Sequence, residues 1–474
     1  MSVIEEADLT CGPTRRTLSG TLAPVTPMKL SVPHPLVLLS ACVVLAAGAS
    51  YLLPAGAYER VTDEEVGRTV VVAGTYQEVE PSPVGPFQAI VALPRGMVDA
   101  AEVIFLVFLI GGAFTVVDET GALRRGITSL VRALRGRDLL VIPVVSLCFA
   151  TGGVLENMQE EIIPLIPVLM ILARRMGFTP ITAVAMSAGP AFVGSAFSPI
   201  NPFRVQIAQR LAELPLLSGA LFRIVFLLLA LALWIGMTMR YAARTRGEPE
   251  AGGDDQSTDE GVRRSDLLIL ALVAATFALI VPGLALWHWG FNELSAAFFI
   301  MGVIVGLLAG MRLSGTARAY VRGFRGMAYA GLLIGFARAI YVVLQDGQII
   351  DTIVHAMFTP LEGLPVLASA FGMVAAHTAI HVPVPSVSGQ AVLTMPLLVP
   401  LSDLLGMSRQ VTVLAYQYGA GLCELITPTN GALMAILASA GVRYEAWLRH
   451  VLPLYLGLVA LGLVAIAVAV AVGL

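Results

Sequence analysis

Four short polar stretches interrupt an otherwise oily chain, and each gathers residue types able to hold a small ligand. Glu156-Asn157-Met158-Gln159-Glu160-Glu161 places five polar residues, three of them carboxylates, within six positions. Ser198-Pro199-Ile200-Asn201 and Thr427-Pro428-Thr429-Asn430 join hydroxyls and side-chain amides to a proline that a helix interior does not tolerate. Ser386-Val387-Ser388-Gly389 adds two further hydroxyls. Short neutral oxygens and amides suit a partly desolvated ion or a carboxylate group. A half-helix that starts at such a break points its positive end at the ligand, and freed carbonyls at the opposing ends attract cations. The candidate ligand-holding set is therefore Asn157, Ser198, Asn201, Arg338, Ser386, Ser388, Thr427, Thr429 and Asn430.

The charged residues within apolar surroundings narrow the chemistry. An ionisable side chain inside a membrane costs several kcal/mol by insertion scales and is a functional candidate by default. Glu156, Glu160 and Glu161 are the candidates for cation or proton coupling, Glu160 first among them because it sits at the tip of the polar run. The blander alternative is that Glu156 or Glu161 caps a helix arm or pairs with Arg338. Arg338 lies mid-span in Gly-Phe-Ala-Arg-Ala-Ile-Tyr, and its planar fork suits a substrate carboxylate as well as a structural ion pair with a tip glutamate. Arg204, just past the first break, is expected to snorkel to the outer surface. His377 and His381 stand four apart, which is metal-ligand spacing, but no third ligand is in view. A hydrogen-bonding or titrating role is expected of them, with no metal and no catalytic set.

The elements that position these residues follow from composition. The chain has 474 residues, 57% hydrophobic and 13% charged, with mean hydropathy +0.83. A soluble protein of this size carries roughly 25% charged residues. Apolar runs of about 20 residues recur along the length, each long enough to span a bilayer as a helix. Cys11, Cys42, Cys148 and Cys423 are scattered, so neither a disulfide framework nor a zinc site is suggested. No GxxxxGK[ST] loop and no His-Glu-x-x-His set occurs, which argues against an ATP-driven pump or a zinc hydrolase. No cofactor and no nucleic-acid partner are expected, and a coupling Na+ or H+ is compatible with the carboxylates.

The polar stretches are also related to one another. Asn430 follows Asn201 by 229 positions, and the same shift carries Pro167 to Pro396, Gly177 to Gly406 and Pro199 to Pro428 without a gap. Such a repeat in so apolar a chain reads as an inverted-repeat transporter. The expected architecture is an all-α polytopic membrane protein with about nine full spans, two re-entrant hairpins and two discontinuous helices. Residues 1–33 form a cytoplasmic tail and 34–245 the first repeat, with an extracytoplasmic β-hairpin insert at 55–97, hairpin 1 at 139–175 and a break at 198–202. A cytoplasmic linker at 246–266 and a linking span at 267–290 lead to the second repeat, 291–474, with hairpin 2 at 363–405 and a break at 427–430. Arginine-rich loops place the N-terminus in the cytoplasm of a cell (inner) membrane. Pro and Gly that merely kink ordinary spans would be the alternative, and two breaks in register weigh against it. An ion channel or, further off, a membrane enzyme are the other function classes; hairpins entering from both sides favour alternating access.

Gly194-Ser195-Ala196-Phe197-Ser198-Pro199-Ile200-Asn201-Pro202-Phe203 resembles the first break of the YfcC branch of the DcuC (anaerobic four-carbon dicarboxylate carrier) family. Ser388-Gly389-Gln390-Ala391-Val392-Leu393-Thr394-Met395-Pro396 resembles its second hairpin, Thr427-Pro428-Thr429-Asn430-Gly431 its second break, and Gly335-Phe336-Ala337-Arg338 also fits. The resemblance covers nearly the whole chain after residue 33. It implies the ion-transporter superfamily fold, and with it a homodimeric, elevator-type secondary carrier, symporter or exchanger, of a small organic anion or amino acid. The family name points to dicarboxylates, whereas relatives in this branch are linked to amino acids, including arginine and ornithine. The chain departs from the family pattern at Tyr418-Gly419-Ala420-Gly421-Leu422, where an acid is missing and Glu424 stands nearby, and at Ile380-His381-Val382.

Overall fold

The computed structural model describes residues 34–63, 68–123, 125–126, 129, 138–248, 263–287, 289–361 and 363–474. The expected tail at 1–33 and most of the expected linker at 246–266 lie outside the described residues. Among the described residues eight helices are long and apolar enough to cross a membrane. The molecule is a mostly helical, multi-pass membrane protein.

Helix α1 (Pro35–Leu52) leads into two short antiparallel strand pairs, β1 (Gly56–Ala57) with β4 (Gln77–Glu78) and β2 (Arg60–Asp63) with β3 (Arg68–Val71). The β-branched run that predicts strand at 69–76 thus forms its strand at 68–71 and turns soon after. The helix that follows, α2 (Pro86–Asp99), occupies sequence expected to belong to the β insert. Its start is well specified: Pro86 fits the first turn, and the Gln88 side chain accepts from the Gly85 N–H at 2.8 Å. Pro94 inside it reads as a breaker in sequence, yet the helix passes through it.

Helix α3 (Ala101–Glu119) precedes the first polar run, which lies between α4 (Val141–Glu156) and α5 (Ile166–Arg175). Asn157 ends α4 in the left-handed region, at φ 57°, a conformation that Asn adopts more readily than most residues. A 3₁₀ turn over Glu160–Leu165 then leads into α5, with Pro167 in its first turn. Two short helices, α6 (Pro180–Ala185) and α7 (Ala188–Ala196), precede the break at Phe197–Asn201. Asn201 caps the π-helical turn Pro202–Gln206, which continues as α8 (Ile207–Leu211).

The chain then runs through α9 (Ala220–Thr245), α10 (Arg264–Trp287) and α11 (Phe291–Leu308). Helix α12 (Arg312–Asp346) is a single 35-residue element, so Arg312, Arg318, Arg322 and Arg325 are all helical. Helix α13 (Ile350–Phe358) carries the β strands: Asp351 accepts from the Tyr58 N–H at 2.9 Å and from Arg60 at 2.8 Å, and Tyr76 stacks on His355 with centroids 4.1 Å apart. The second polar run lies between α14 (Val366–His381) and α15 (Val387–Leu404), where Ser386 caps α15 by accepting from the Gly389 N–H. Helix α16 (Arg409–Leu422) and a 3₁₀ turn at Cys423–Leu425 precede the second break, and Asn430 caps α17 (Gly431–Ser439). The last helix, α18 (Tyr444–Val472), is a single 29-residue element.

Close backbone approaches hold the elements that carry the polar runs. Helix α4 packs along α7, where a Cβ on Gly153 would come within 2.0 Å of the Ala191 carbonyl oxygen. Gly194 of α7 faces the Ala150 carbonyl in the same way, at 2.5 Å. Small residues let two membrane helices approach this closely, and dispersion across the contact substitutes for the missing hydrophobic drive. One apolar cluster runs through most of the helices, and a smaller one joins the 205–212 segment to α15 and α16 through Val205, Met395 and Tyr416.

Candidate functional site

The two polar runs and the second break meet at one cavity of about 490 Å³. Asn157, Gln159, Glu160 and Glu161 line it from the first run, Ser386 and Ser388 from the second, and Thr429 and Asn430 from the break. Helix α12 contributes Arg338 and Tyr341, and Asp99 closes the wall at the end of α2. Asn157 and Asn430 stand 273 positions apart in sequence, and the fold brings them to one cavity.

 The glutamates of the first run and the amide of the second break thus share one wall.

A continuous hydrogen-bonded network runs through that wall and back to Arg204. The Arg204 side chain is fully buried; its Nε donates to Asn157 Oδ1 at 2.6 Å and its Nη2 pairs with Glu424 Oε2. Gln159 Nε2 donates to the other Glu424 oxygen at 2.8 Å, and Asn430 Nδ2 donates to Gln159 Oε1 at 3.3 Å. Asn157, Gln159, Arg204, Glu424 and Asn430 therefore tie the tip of the first polar run to both breaks. The expectation that Arg204 snorkels outward is corrected. The π-helical turn that Asn201 caps places Arg204 inside, where Asn157 takes its Nε and Glu424 its Nη2, while Nη1 is buried without a partner among the described residues.

The two asparagines of the breaks share one role and differ in another. Asn201 Oδ1 accepts from the Phe203 N–H and Asn430 Oδ1 from the Leu433 N–H, each at 3.0 Å, so both cap a helical start. Asn201 Nδ2 donates to the Gly153 carbonyl at 2.9 Å, behind the wall, whereas Asn430 faces the cavity. Ser198 and Thr427 also lie behind it: Ser198 Oγ donates to the Val154 carbonyl and Thr427 Oγ1 to the Cys423 carbonyl. Thr429 lines the cavity while donating to the Val382 carbonyl.

Arg338 pairs with Asp99, and among the described residues with neither Glu160 nor Glu161, and its guanidinium lies 4.7 Å from the Tyr341 ring centroid. Both members of the pair remain accessible, at 38% and 46%. Among the described residues neither Glu160 nor Glu161 is in an ion pair; Glu161 accepts from the Gln159 N–H at 3.1 Å. Glu156 ends α4, and its side chain lies outside the described residues. His377 and His381 are buried and turn their Nδ1 atoms to the amide of Gln390, at 3.0 and 3.3 Å. Among the described residues no cluster of three metal-ligating side chains forms.

Sequence reasoning left Gln159, Glu424 and Asp99 out of the site. The signal for Glu424 was present, an acid in apolar sequence three residues before the second break. That for Asp99 was not, because its partner on α12 is set by tertiary packing alone. The cavity wall carries four carboxylates (Asp99, Glu160, Glu161 and Glu424) and the guanidinium of Arg338, with Arg204 directly behind. Such a surface can bind a small molecule bearing both signs of charge with an excess of positive.

The family match and the Escherichia coli relative agree with a carrier. The model of the family described as DcuC, C4-dicarboxylate anaerobic carrier, matches residues 32–471. The Escherichia coli (strain K12) protein named "Putative basic amino acid antiporter YfcC" is 34% identical over 373 residues, which cover 74% of this chain and 74% of that protein. A Haemophilus influenzae (strain ATCC 51907 / DSM 11121 / KW20 / Rd) protein is 25% identical over 495 residues, covering 92% of this chain and 97% of its own length. Among solved structures, the YdaH transporter of Alcanivorax borkumensis aligns at 19% identity with TM-score 0.44, over 93% of this chain and 99% of that one. Neisseria gonorrhoeae MtrF aligns at 16% identity with TM-score 0.40, over 93% and 95%. The family match across residues 32–471 and the extent of the YfcC similarity make the chain a member of the DcuC family, a membrane carrier.

Proposed function

We propose that this carrier is a secondary transporter that exchanges a cationic amino acid. The observation that carries the reading is the charge on the cavity wall: Asp99 is paired with Arg338 and Glu424 with the buried Arg204, which leaves Glu160 and Glu161 outside any ion pair among the described residues. A substrate with one carboxylate and two ammonium or guanidinium groups meets that wall with complementary charge, whereas a doubly negative four-carbon acid meets repulsion at close range. The name of the E. coli relative, which describes a basic amino acid antiporter, supports the same choice.

In this reading Arg338 leaves Asp99 to receive the substrate carboxylate, Glu160 and Glu161 take the side-chain cation, and Asn430 and Ser388 orient the α-amino group. Glu160 also couples transport to an inward cation gradient, of Na+ or H+, by being neutralised or paired when no substrate is bound. An elevator movement of the two hairpins and breaks, a homodimer and an inner-membrane location with a cytoplasmic N-terminus complete the proposal; the family resemblance and the arginine distribution support them.

The test is counterflow in liposomes carrying the purified protein. Vesicles loaded with unlabelled lysine should accumulate labelled lysine, arginine or ornithine from outside, and vesicles loaded with succinate should not accumulate labelled succinate. Succinate counterflow without lysine counterflow would overturn the choice of cargo.

A further inference from the structure

A second cavity, of about 610 Å³, lies between the β strands and the second polar run. Arg60 and Val71 of the strands, Gln345 of α12, Asp351 of α13 and Gly389 of α15 are on its wall. Three residues line both this cavity and the site: Arg338, Tyr341 and Ser386. The two spaces are thus separated by one layer of side chains, and two of those three belong to one helix.

The helix supplies the route between them. Ile334, Arg338, Tyr341 and Gln345 follow one another at alternating spacings of four and three, which places them on one face of α12. Ile334 faces the site, Gln345 the second cavity, and Arg338 with Tyr341 both. From Ile334 to Gln345 that stripe climbs ~16 Å at the α-helical rise. The Arg338 guanidinium rests over Tyr341 and pairs with Asp99, and both charges keep a third or more of their surface accessible. Exposed pairs of this kind exchange partners at little cost.

We propose that the second cavity is the antechamber through which substrate reaches the site from the side of the β strands, and that the Arg338–Asp99 pair over Tyr341 is the gate between them. An incoming amino acid presents its carboxylate to Arg338 in the antechamber. Arg338 exchanges Asp99 for that carboxylate, which clears the layer over Tyr341 and leaves Asp99 facing the ammonium groups as they pass. The strands hold the antechamber open because Arg60 is fastened to Asp351 and Tyr58 to the same carboxylate. The inference rests on the carrier reading for the identity of the site, and of the cargo it requires only a carboxylate that Arg338 can receive.

The experiment reads access without using a substrate. In a background with Cys11, Cys42, Cys148 and Cys423 replaced, Ser388→Cys reports the site, and Val61→Cys, exposed on β2, reports which molecules present the strands to the vesicle exterior. A membrane-impermeant trimethylammonium methanethiosulfonate is added outside to the population oriented with its strands outward. Gln345→Trp, which fills the antechamber from an exposed position, should slow labelling of Ser388→Cys about tenfold. Arg338→Ala should speed it about tenfold, and Arg338→Lys should stay near the parent. Labelling rates unchanged by both Gln345→Trp and Arg338→Ala, in variants that keep the parent's size-exclusion profile, would overturn the inference. Labelling that responds as expected in a protein with no lysine counterflow would sustain the antechamber while removing the proposed cargo.

Discussion

Removing Arg204 tests the network behind the site most directly. The Arg204 side chain is fully buried, Glu424 is 4% exposed, and between them they engage Asn157 and Gln159. Arg204→Met keeps the bulk of the stem and takes away the charge, so Glu424 remains buried with only the Gln159 amide to hold it. Breaking a buried pair by removing one partner costs about 3–5 kcal/mol. At about 1.4 kcal/mol per decade, the folded fraction relative to unfolded should fall between roughly a hundredfold and a few thousandfold. Replacing the second partner as well should recover most of that loss, because two apolar side chains need no partners: Arg204→Met with Glu424→Leu should be more stable than Arg204→Met alone by about 2 kcal/mol or more. Equilibrium unfolding in mixed micelles, followed by tryptophan fluorescence, measures both. Trp447 is a local reporter, since its indole N–H donates to the Leu425 carbonyl at 2.9 Å beside Glu424. A single Arg204→Met variant within about 0.5 kcal/mol of the parent would refute the reasoning, and so would a double variant as unstable as the sum of the two singles.

Three further outcomes are expected. Asn201→Ala and Asn430→Ala should each lose a cap worth about 1 kcal/mol, but Asn430→Ala should lower counterflow far more than folded yield, while Asn201→Ala should lower both together; equal effects in the two variants would contradict the different placements of their amide nitrogens. Glu160→Gln should abolish uptake driven by a pH or sodium gradient while keeping some substrate exchange, and gradient-driven uptake at the parent's rate would remove Glu160 from the coupling role. Gly153→Ala should sharply reduce folded protein, because its Cβ would meet the Ala191 carbonyl oxygen at 2.0 Å, whereas Gly236→Ala, with nothing within 4 Å, should be near neutral by detergent melting; matching behaviour of the two would show that α4 and α7 need no close approach.

What was legible in the sequence was whatever depends on local chemistry. Proline, glycine and asparagine mark the chain where a helix cannot continue, so the interruptions near 157, 198–201 and 427–430 were readable from residue types, and the helices stop within a few residues of them. The strand signal at 69–71 was readable for the same reason. Helix α2 was not, because Pro94 and a mixed polar pattern conceal a helix whose stability comes from packing: a Cβ on Gly96 would lie 2.6 Å from the Ala339 amide nitrogen of α12. The site divides along the same line. Asn157, Glu160, Ser388 and Asn430 declare themselves as polar residues at breaks, and all four reach the cavity.

Pairing partners do not declare themselves, since sequence gives the charge of Arg204 but not the direction a π-helical turn sends it. A snorkelling arginine and a buried one look alike until Glu424 is placed opposite, 220 residues further along the chain. The consequence reaches function. With Arg204 spent on Glu424, Arg338 is the guanidinium left facing the cavity, and its partner Asp99 is exposed and exchangeable. Had Arg204 and Arg338 both faced the substrate, the wall would suit two carboxylates on one ligand. One available guanidinium beside Glu160 and Glu161 suits one carboxylate and a cation instead, and that difference in pairing is the ground on which we propose an amino acid and not a dicarboxylate as the cargo.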